Sequence, residues 1–367
     1  MASKRPPESW LARQLRQRGW VRQEERDELL AQLARAKDKL RARAARGRAE
    51  TAAAREYLDA LLRANRAGRV GAKDDADREW AALSREYAAA RETCADGNAL
   101  TGVRHATAGG LSWSLPVDRD EPGTLSHRII HEGWLPLDDI AAVRPFARGE
   151  AMLDIGANVG TTSIPRAVLG DFDRIYAAEP EPDNYRCLVA NVRANGVAGR
   201  VCPDRVAVSN RPGAMSLRRA TGMGGHHLLD EPGEHDTVSV EVVTLDAWLA
   251  RLGVPFDDIR FVKVDTQGWD VRVLEGAQAL LAHRRAVWQI EVSVPMMKRA
   301  GSRPEDLVAQ VGAHFTHVRE LDKAATAPWV PSAQFADVLA RMTERRQFGN
   351  VLLLNLPERA ERPTSGG

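Results

Sequence analysis

The chain has little of what would staple it or carry it through a membrane. Its 367 residues include three cysteines, Cys94, Cys187 and Cys202, an odd number with neither paired nor metal-ligand spacing. That usage excludes a disulfide framework and a cysteine zinc site and fits a reducing compartment. No stretch approaches the roughly 18 apolar residues of a spanning helix. Lys4, Arg5, Pro6 and Pro7 near the start lead into no apolar run, so no secretory signal is read there. The expectation is a cytoplasmic chain. After Val21, β-branched residues are almost absent from the first 95 positions, which argues against strands in that stretch. Two phosphate-binding signatures are missing as well. There is no Gly-Lys-Ser/Thr loop, and no turn carries the three glycines of a dinucleotide fingerprint.

What the chain does contain divides it in two. Residues 1–95 hold 22 Lys/Arg against 15 Asp/Glu, an excess of seven, so the remainder carries minus five of the net charge of +2. The first part is crowded with Ala, Arg, Glu and Leu, all strong helix formers. Leu29, Leu33 and Leu40, then Tyr57, Leu61 and Leu62, recur at helical spacing, and Gly68 to Gly71 interrupts the pattern. This reads as a helical hairpin or short coiled coil that joins copies of the chain into a homo-oligomer. Arg35 to Arg48 holds seven basic residues and one acid, Asp38. No aromatic residues interleave with them, so a solvated face is favoured over nucleic acid.

From 96 to 150 the texture is that of a lead-in segment. Gly110 to Val117 alternates like a strand, and Ser126 to Val143 reads as one or two helices that close over the next domain. Residues 151–325 alternate strand and helix. Strands are expected at Met152–Ile155, Arg174–Ala178, Arg205–Ser209, Phe261–Val264 and Ala286–Val292. Helices are expected at Thr161–Leu169, Asp183–Asn195, Leu245–Leu252 and Val271–Leu281, with Asp183 as an N-cap. Ala214–Arg218 and Val238–Val243 form a β-excursion around a glycine-rich loop. This alternation requires right-handed crossovers, and so a doubly wound, mostly parallel α/β sheet of Rossmann type. Residues 326–367 complete the chain as a helix, a strand and a disordered tail.

Three features fall at strand ends, where such sheets bind ligands. Asp154-Ile155-Gly156-Ala157-Asn158-Val159-Gly160 is a tight turn whose glycines let the backbone approach a ligand. Its acid, Asp154, can accept from the turn amides or hold an amino-acid group through water, which suits a cationic ligand better than a pyrophosphate. Glu179, 25 residues on, is placed to accept hydrogen bonds from both hydroxyls of an adenosine ribose, as NAD or S-adenosylmethionine would offer. Lys263 and Asp265 share one face of the fourth strand, where a charged pair costs desolvation unless it is used or paired.

Together these segments resemble the FkbM family of methyltransferases. The resemblance rests on Asp154 to Gly160, Glu179-Pro-Glu-Pro-Asp183-Asn184, and Val262-Lys-Val-Asp-Thr-Gln-Gly-Trp-Asp270 followed by Val273-Leu-Glu-Gly-Ala277. It covers residues 110–320 and leaves the first 95 outside. It implies an S-adenosylmethionine-dependent fold that methylates a hydroxyl of a sugar, polyketide or other secondary metabolite. The implied cofactor set is Asp154, Gly156, Ala157, Asn158, Gly160, Glu179, Pro180, Asn184, Ala207, Val208 and Asp265. Many members read Val-Glu-Gly after the acid of the fourth strand, and this chain reads Thr266-Gln267-Gly268.

Methyl transfer to a hydroxyl needs a base. The candidates are Asp265, Glu291 at the end of the fifth strand, and His226 and His227 in the glycine-rich loop, with Lys263 beside Asp265. Asp265 and Glu291 could instead hold Mg²⁺, but two carboxylates without a third ligand leave metal possible and not favoured. Two rival readings remain. One is a dehydrogenase of the same sheet topology, which lacks its third glycine here. The other is a non-catalytic scaffold with a basic helical arm.

Overall fold

In the computed structural model the described residues are 103–116, 124–218, 227–229, 237–321, 327–345 and 348–355. The helical arm expected over 1–95 and the tail beyond 355 lie outside them, as does His226. The lead-in opens as a hairpin of which the sequence reading identified one half. β1 (Val103–Ala108) pairs antiparallel with β2 (Leu111–Pro116). Gly109 and Gly110, at φ +60° and +74°, make the turn between them. Two consecutive left-handed residues suit the twist of a two-residue hairpin, and glycine adopts them without strain. Trp113 and Leu115 of β2 are buried.

Two helices follow, α1 (Leu125–Glu132) and α2 (Leu137–Val143). The Thr124 hydroxyl caps α1 by accepting from the His127 amide, and Gly133 ends it at φ +63°. The main α/β body then runs β3 (Gly149–Ile155), α3 (Ser163–Val168), β4 (Phe172–Ala178), α4 (Pro182–Ala194) and β5 (Val201–Asp204). The excursion consists of β6 (Ala207–Val208), β7 (Gly213–Arg218), β8 (His227–Leu229) and β9 (Thr237–Val243). After it come α5 (Leu245–Leu252), β10 (Ile259–Val264), α6 (Asp270–Glu275), α7 (Gln278–His283) and β11 (Val287–Val292). The described chain closes with α8 (Val294–Arg299), α9 (Pro304–His314), β12 (His317–Leu321), β13 (Val330–Pro331), α10 (Phe335–Arg345) and β14 (Gly349–Leu354).

The large sheet has the order β13-β12-β14-β11-β10-β3-β4-β5. From β11 to β5 every pairing is parallel, while β14 runs antiparallel to both β11 and β12. The excursion forms its own sheet in the order β6-β9-β7-β8. Parallel strands buried on both faces need apolar side chains both ways. Accordingly Met152, Leu153 and Ile155 of β3 and Phe261, Val262 and Val264 of β10 are fully enclosed between two apolar layers. The architecture is the Rossmann-like α/β fold, with three antiparallel strands, β14, β12 and β13, added beyond β11.

Three local expectations are corrected. The third parallel strand is Val201–Asp204 rather than Arg205–Ser209, because Ala207 and Val208 pair with β9 in the second sheet. The cap of α4 is Glu181, whose carboxylate accepts from the Asn184 amide, and Pro182 takes the first helical position that proline favours. The helix expected over Val271–Leu281 is two helices. They part at Gly276, where a Cβ would lie 2.1 Å from the Ser209 carbonyl oxygen. Asn191 and Asn195 on the inner side of α4 tie the hairpin down. Each amide bonds both the N–H and the C=O of one β2 residue, Ser114 and Ser112 respectively.

Candidate functional site

Strand order reverses between β3 and β10. From β3 the chain winds outward through β4 and β5, then returns to the other side of β3 for β10 and β11. At such a point the diverging loops leave a crevice beyond the carboxyl ends of the strands. A cavity of about 450 Å³ opens there, within the size range of small-molecule sites.

The turn after β3 forms its floor, and each of its amides is committed to a protein acceptor. Gly156 and Ala157 donate to the Ala178 carbonyl, Gly160 to the Ala157 carbonyl and Val159 to the Asn158 side chain. The Asn158 amide donates to Glu179 Oε2 at 2.8 Å. Gly156 is at φ +80°, and a Cβ there would lie 2.0 Å from the Asp265 carbonyl oxygen. The tips of β3 and β10 thus meet where only glycine fits, and the Asp265 amide returns a bond to the Ile155 carbonyl.

Glu179, at the tip of β4, is almost fully buried. Its Oε1 accepts from the Glu181 amide at 3.0 Å and its Oε2 from Asn158. Burial dominates nonetheless and pushes its pKa up to about 7. Ala157, Pro180, Asn184, Ala207 and Val208 line the same part of the cavity.

Two residues of the expected cofactor set lie beneath the cavity instead of on it. Asp154 is fully buried; its Oδ2 accepts from the Ser163 hydroxyl at 2.5 Å, and its Oδ1 lies 3.7 Å from Lys263 Nζ. It therefore braces the strand tips and does not face a ligand. Gly160 is a packing position, where a Cβ would come within 2.8 Å of Ile164 and Leu188.

The other part of the cavity holds the charged cluster. Lys263 Nζ donates to Asp265 Oδ2 at 3.1 Å and so stands between Asp265 and Asp154. Burial alone would lower the Lys263 pKa, but the two carboxylates outweigh it and raise it. Burial likewise works to raise the Asp265 pKa, yet the Lys263 charge and hydrogen bonds from its neighbours lower it. Glu291, hydrogen-bonded to Asp265, is pushed well above the carboxylate range, first by the Asp265 charge and then by burial. Gln267 spans the pair: its Nε2 donates to Asp265 Oδ1 at 2.9 Å and to Glu291 Oε2 at 3.1 Å. The arrangement is two carboxyl groups joined through one amide, with a lysine on Asp265. Among the described residues no three of His, Cys, Asp and Glu are grouped to hold a metal ion.

His227 opens β8 opposite Arg218; its neighbour Leu228 lines the cavity, as does Leu217. Residues of the lead-in also line the cavity. Leu125, Arg128, Trp134, Asp139 and Ile140 all reach the cavity. The far wall is a polar chain that the sequence reading did not single out. Gln289 donates to Asn350 at 3.2 Å and Asn350 to Asp139 at 3.4 Å, across β11, β14 and α2. No local motif marks these three residues, because only strand pairing and helix docking bring them together. Gln267 was noted only for the glutamate it replaces, and its bridging role follows from a backbone at φ +56°.

Among the described residues no helix is long and apolar enough to cross a membrane. A family model described as the methyltransferase FkbM domain matches residues 154–347, more than half of the chain. The 31-O-demethyl-FK506 methyltransferase FkbM of Streptomyces tacrolimicus is 25% identical over 227 residues, covering 53% of this chain and 82% of that protein. The ribosomal protein L11 methyltransferase of Geobacter sp. (strain M21) is 35% identical over 66 residues, 18% of this chain and 21% of that protein. The chain thus spans about a fifth of the length of that second relative. Among solved structures, the methyltransferase FkbM from Methylobacillus flagellatus aligns with a TM-score of 0.35 at 14% identity, covering 59% of this chain and 53% of that one. With the glycine turn, the β4 acid and the β10 cluster all inside the matched segment, the chain belongs to the FkbM family of methyltransferases.

Proposed function

We propose that this chain is an S-adenosylmethionine-dependent methyltransferase acting on a hydroxyl of a sugar, a polysaccharide or another secondary metabolite. One observation carries the reading. The tips of β4 and β10 bring a carboxylate suited to a ribose diol and a lysine-braced acid pair to opposite parts of one cavity. The residues present suit the cofactor. Glu179 supplies two acceptor oxygens, and Ala207 and Val208 supply small apolar contacts for a flat base. A dinucleotide is poorly served, because all five amides from Gly156 to Gly160 already donate to the protein. A pyrophosphate on such a turn relies on those amides.

When bound, the cofactor supplies an electrophilic methyl group on a sulfonium. The protein contributes position and a proton acceptor. Glu179 fixes the ribose end, and the lid of α1, α2 and the excursion excludes water. Asp265, kept ionised by Lys263, accepts the proton of the incoming hydroxyl, while Glu291 shares the resulting charge. Bringing nucleophile and methyl to near-attack distance supplies the larger part of the barrier reduction.

Calorimetry tests the reading. S-adenosylhomocysteine should bind at micromolar strength or better, and NAD should not bind; the reverse result would favour the dehydrogenase. We further propose that residues 1–95 join copies of the chain, so that deleting them reduces the mass in solution to that of a monomer.

A further inference from the structure

A residue outside the expected set holds the charged cluster together. Gln267 is one of three described non-glycine residues at positive φ, with a value of +56°. The left-handed region strains a side chain with a Cβ and is free for glycine. Such outliers persist where the surroundings over-determine them, and they gather at functional sites. The side chain carries a second unfavourable feature: Oε1 is buried without a hydrogen-bond partner. Both are accepted in an arrangement that sends the two hydrogens of one amide to two different carboxyls, Asp265 Oδ1 and Glu291 Oε2. Gly268 follows at φ +96°, where a Cβ would lie 2.4 Å from the Met296 backbone, so the turn is wedged against α8 and cannot relax outward.

We propose that Gln267 is a positioning residue that clamps the carboxyl groups of Asp265 and Glu291 into one amide-bridged pair facing the acceptor hydroxyl. This rests on the hydroxyl-methylation reading. An amide is suited to the task in a way that a glutamate at the same place would not be. A carboxylate has no hydrogens to donate, and it would bring a third acid against two that already face each other. Removing the amide takes from each carboxyl one donor that favours its ionised form, so both should hold protons more tightly.

Glycine at this position provides a clean test. Gln267→Gly relieves the backbone strain, so the variant should fold with an unchanged or higher melting temperature. The readout is infrared difference spectroscopy of the full-length protein across pH 5–9, following the carbonyl band of the protonated carboxyl. Glu291→Gln identifies that band by abolishing it. In Gln267→Gly the proton affinity read from this band should rise about tenfold, as expected for losing a hydrogen bond to a charged group. Gln267→Asn, whose amide is one methylene shorter, should give the same rise.

An unmoved titration in a folded Gln267→Gly protein overturns the clamp. So does a melting temperature that falls while the titration stays in place, since Gln267 would then only shape the turn. S-adenosylhomocysteine binding, measured by calorimetry on the same samples, reports separately on the cofactor reading. Its absence in the unmodified protein would remove that reading whatever the band does.

Discussion

The buried acid at the tip of β4 predicts that cofactor binding is tied to pH. Glu179 accepts hydrogen bonds from two backbone amides, yet burial holds its pKa at about 7. Ribose hydroxyls donate to the ionised carboxylate, so binding selects that form. With a pKa of about 7, about 9% of the protein is ionised at pH 6 and about 91% at pH 8. Affinity for S-adenosylhomocysteine should therefore strengthen about tenfold between those values. Near pH 7 about half a proton should be released per cofactor bound. Calorimetry in two buffers of different ionisation enthalpy reads both quantities. Glu179→Gln should abolish the proton release and weaken binding at pH 8 by about 1–3 kcal/mol, since the amide places a donor against protein amides. Stability in the absence of ligand runs the opposite way with pH. The folded-state pKa is raised, so the stability this group contributes is present below the ordinary carboxylate pKa and is lost as pH rises through about 7. An affinity that stays flat from pH 6 to 8, or equal proton release in wild type and Glu179→Gln, would refute the assignment of Glu179 to the ribose.

Other perturbations test other parts of the site. Asp265→Asn should lower methyl transfer by about 10²–10⁴-fold while S-adenosylhomocysteine binding changes only a few-fold. The assay is incorporation of labelled methyl into small-molecule and glycan fractions, and full activity would pass the role of base to His226 or His227. Gly156→Ala places a Cβ 2.0 Å from the Asp265 carbonyl at a positive φ. It should destabilise the protein by at least about 2 kcal/mol, lowering the melting temperature by about 4–8 °C. Asp270 is buried, accepts from the Thr266 amide and hydroxyl, and has its pKa raised by burial to about 6. Its contribution to stability is present at pH 4 and lost as pH rises through about 6. Asp270→Asn should accordingly flatten the dependence of melting temperature on pH between 5 and 8, and an unchanged slope would place the titration elsewhere.

Where side-chain period and local turn chemistry decide the structure, the sequence was a sufficient guide. Leu245–Leu252 begins after Thr244, whose hydroxyl caps it, and ends at Gly253 at φ +67°, all visible as a pattern of residues. The glycine turn and Glu179 could be placed because each follows a short apolar strand. The failures have tertiary causes. Val103–Ala108 alternates poorly because exposed residues fall on both faces of β1, and only its pairing with β2 makes it a strand. Arg205–Ser209 does contain extended residues, but their partner is β9, some 35 positions later, and not β4. Asp154 looked like a ligand contact because it precedes the glycine turn. Instead, period-two alternation turns its side chain down onto Ser163, a residue of the next helix.

The same contrast explains why the family is readable here and the acceptor is not. The cofactor part of the cavity is built from contiguous pieces, the turn after β3 and the tip of β4, where the Asn158 amide holds the Glu179 carboxylate. Its chemistry is written in short motifs because a turn is a local structure. The acceptor part draws single residues from α1, α2, the excursion, β11 and β14, separated by more than 200 positions. Gln289, Asn350 and Asp139 form one hydrogen-bonded wall only because three elements dock together. Asp139 and Asn350 lie on α2 and β14, outside the parallel strands and the glycine turn. Acceptor preference can therefore be altered while cofactor binding is retained. Asp139→Ala should alter which acceptors are methylated and leave S-adenosylhomocysteine affinity within about threefold, because lost contacts at a separate subsite couple weakly to the first. A parallel loss of both would mean that the two parts of the cavity are one site.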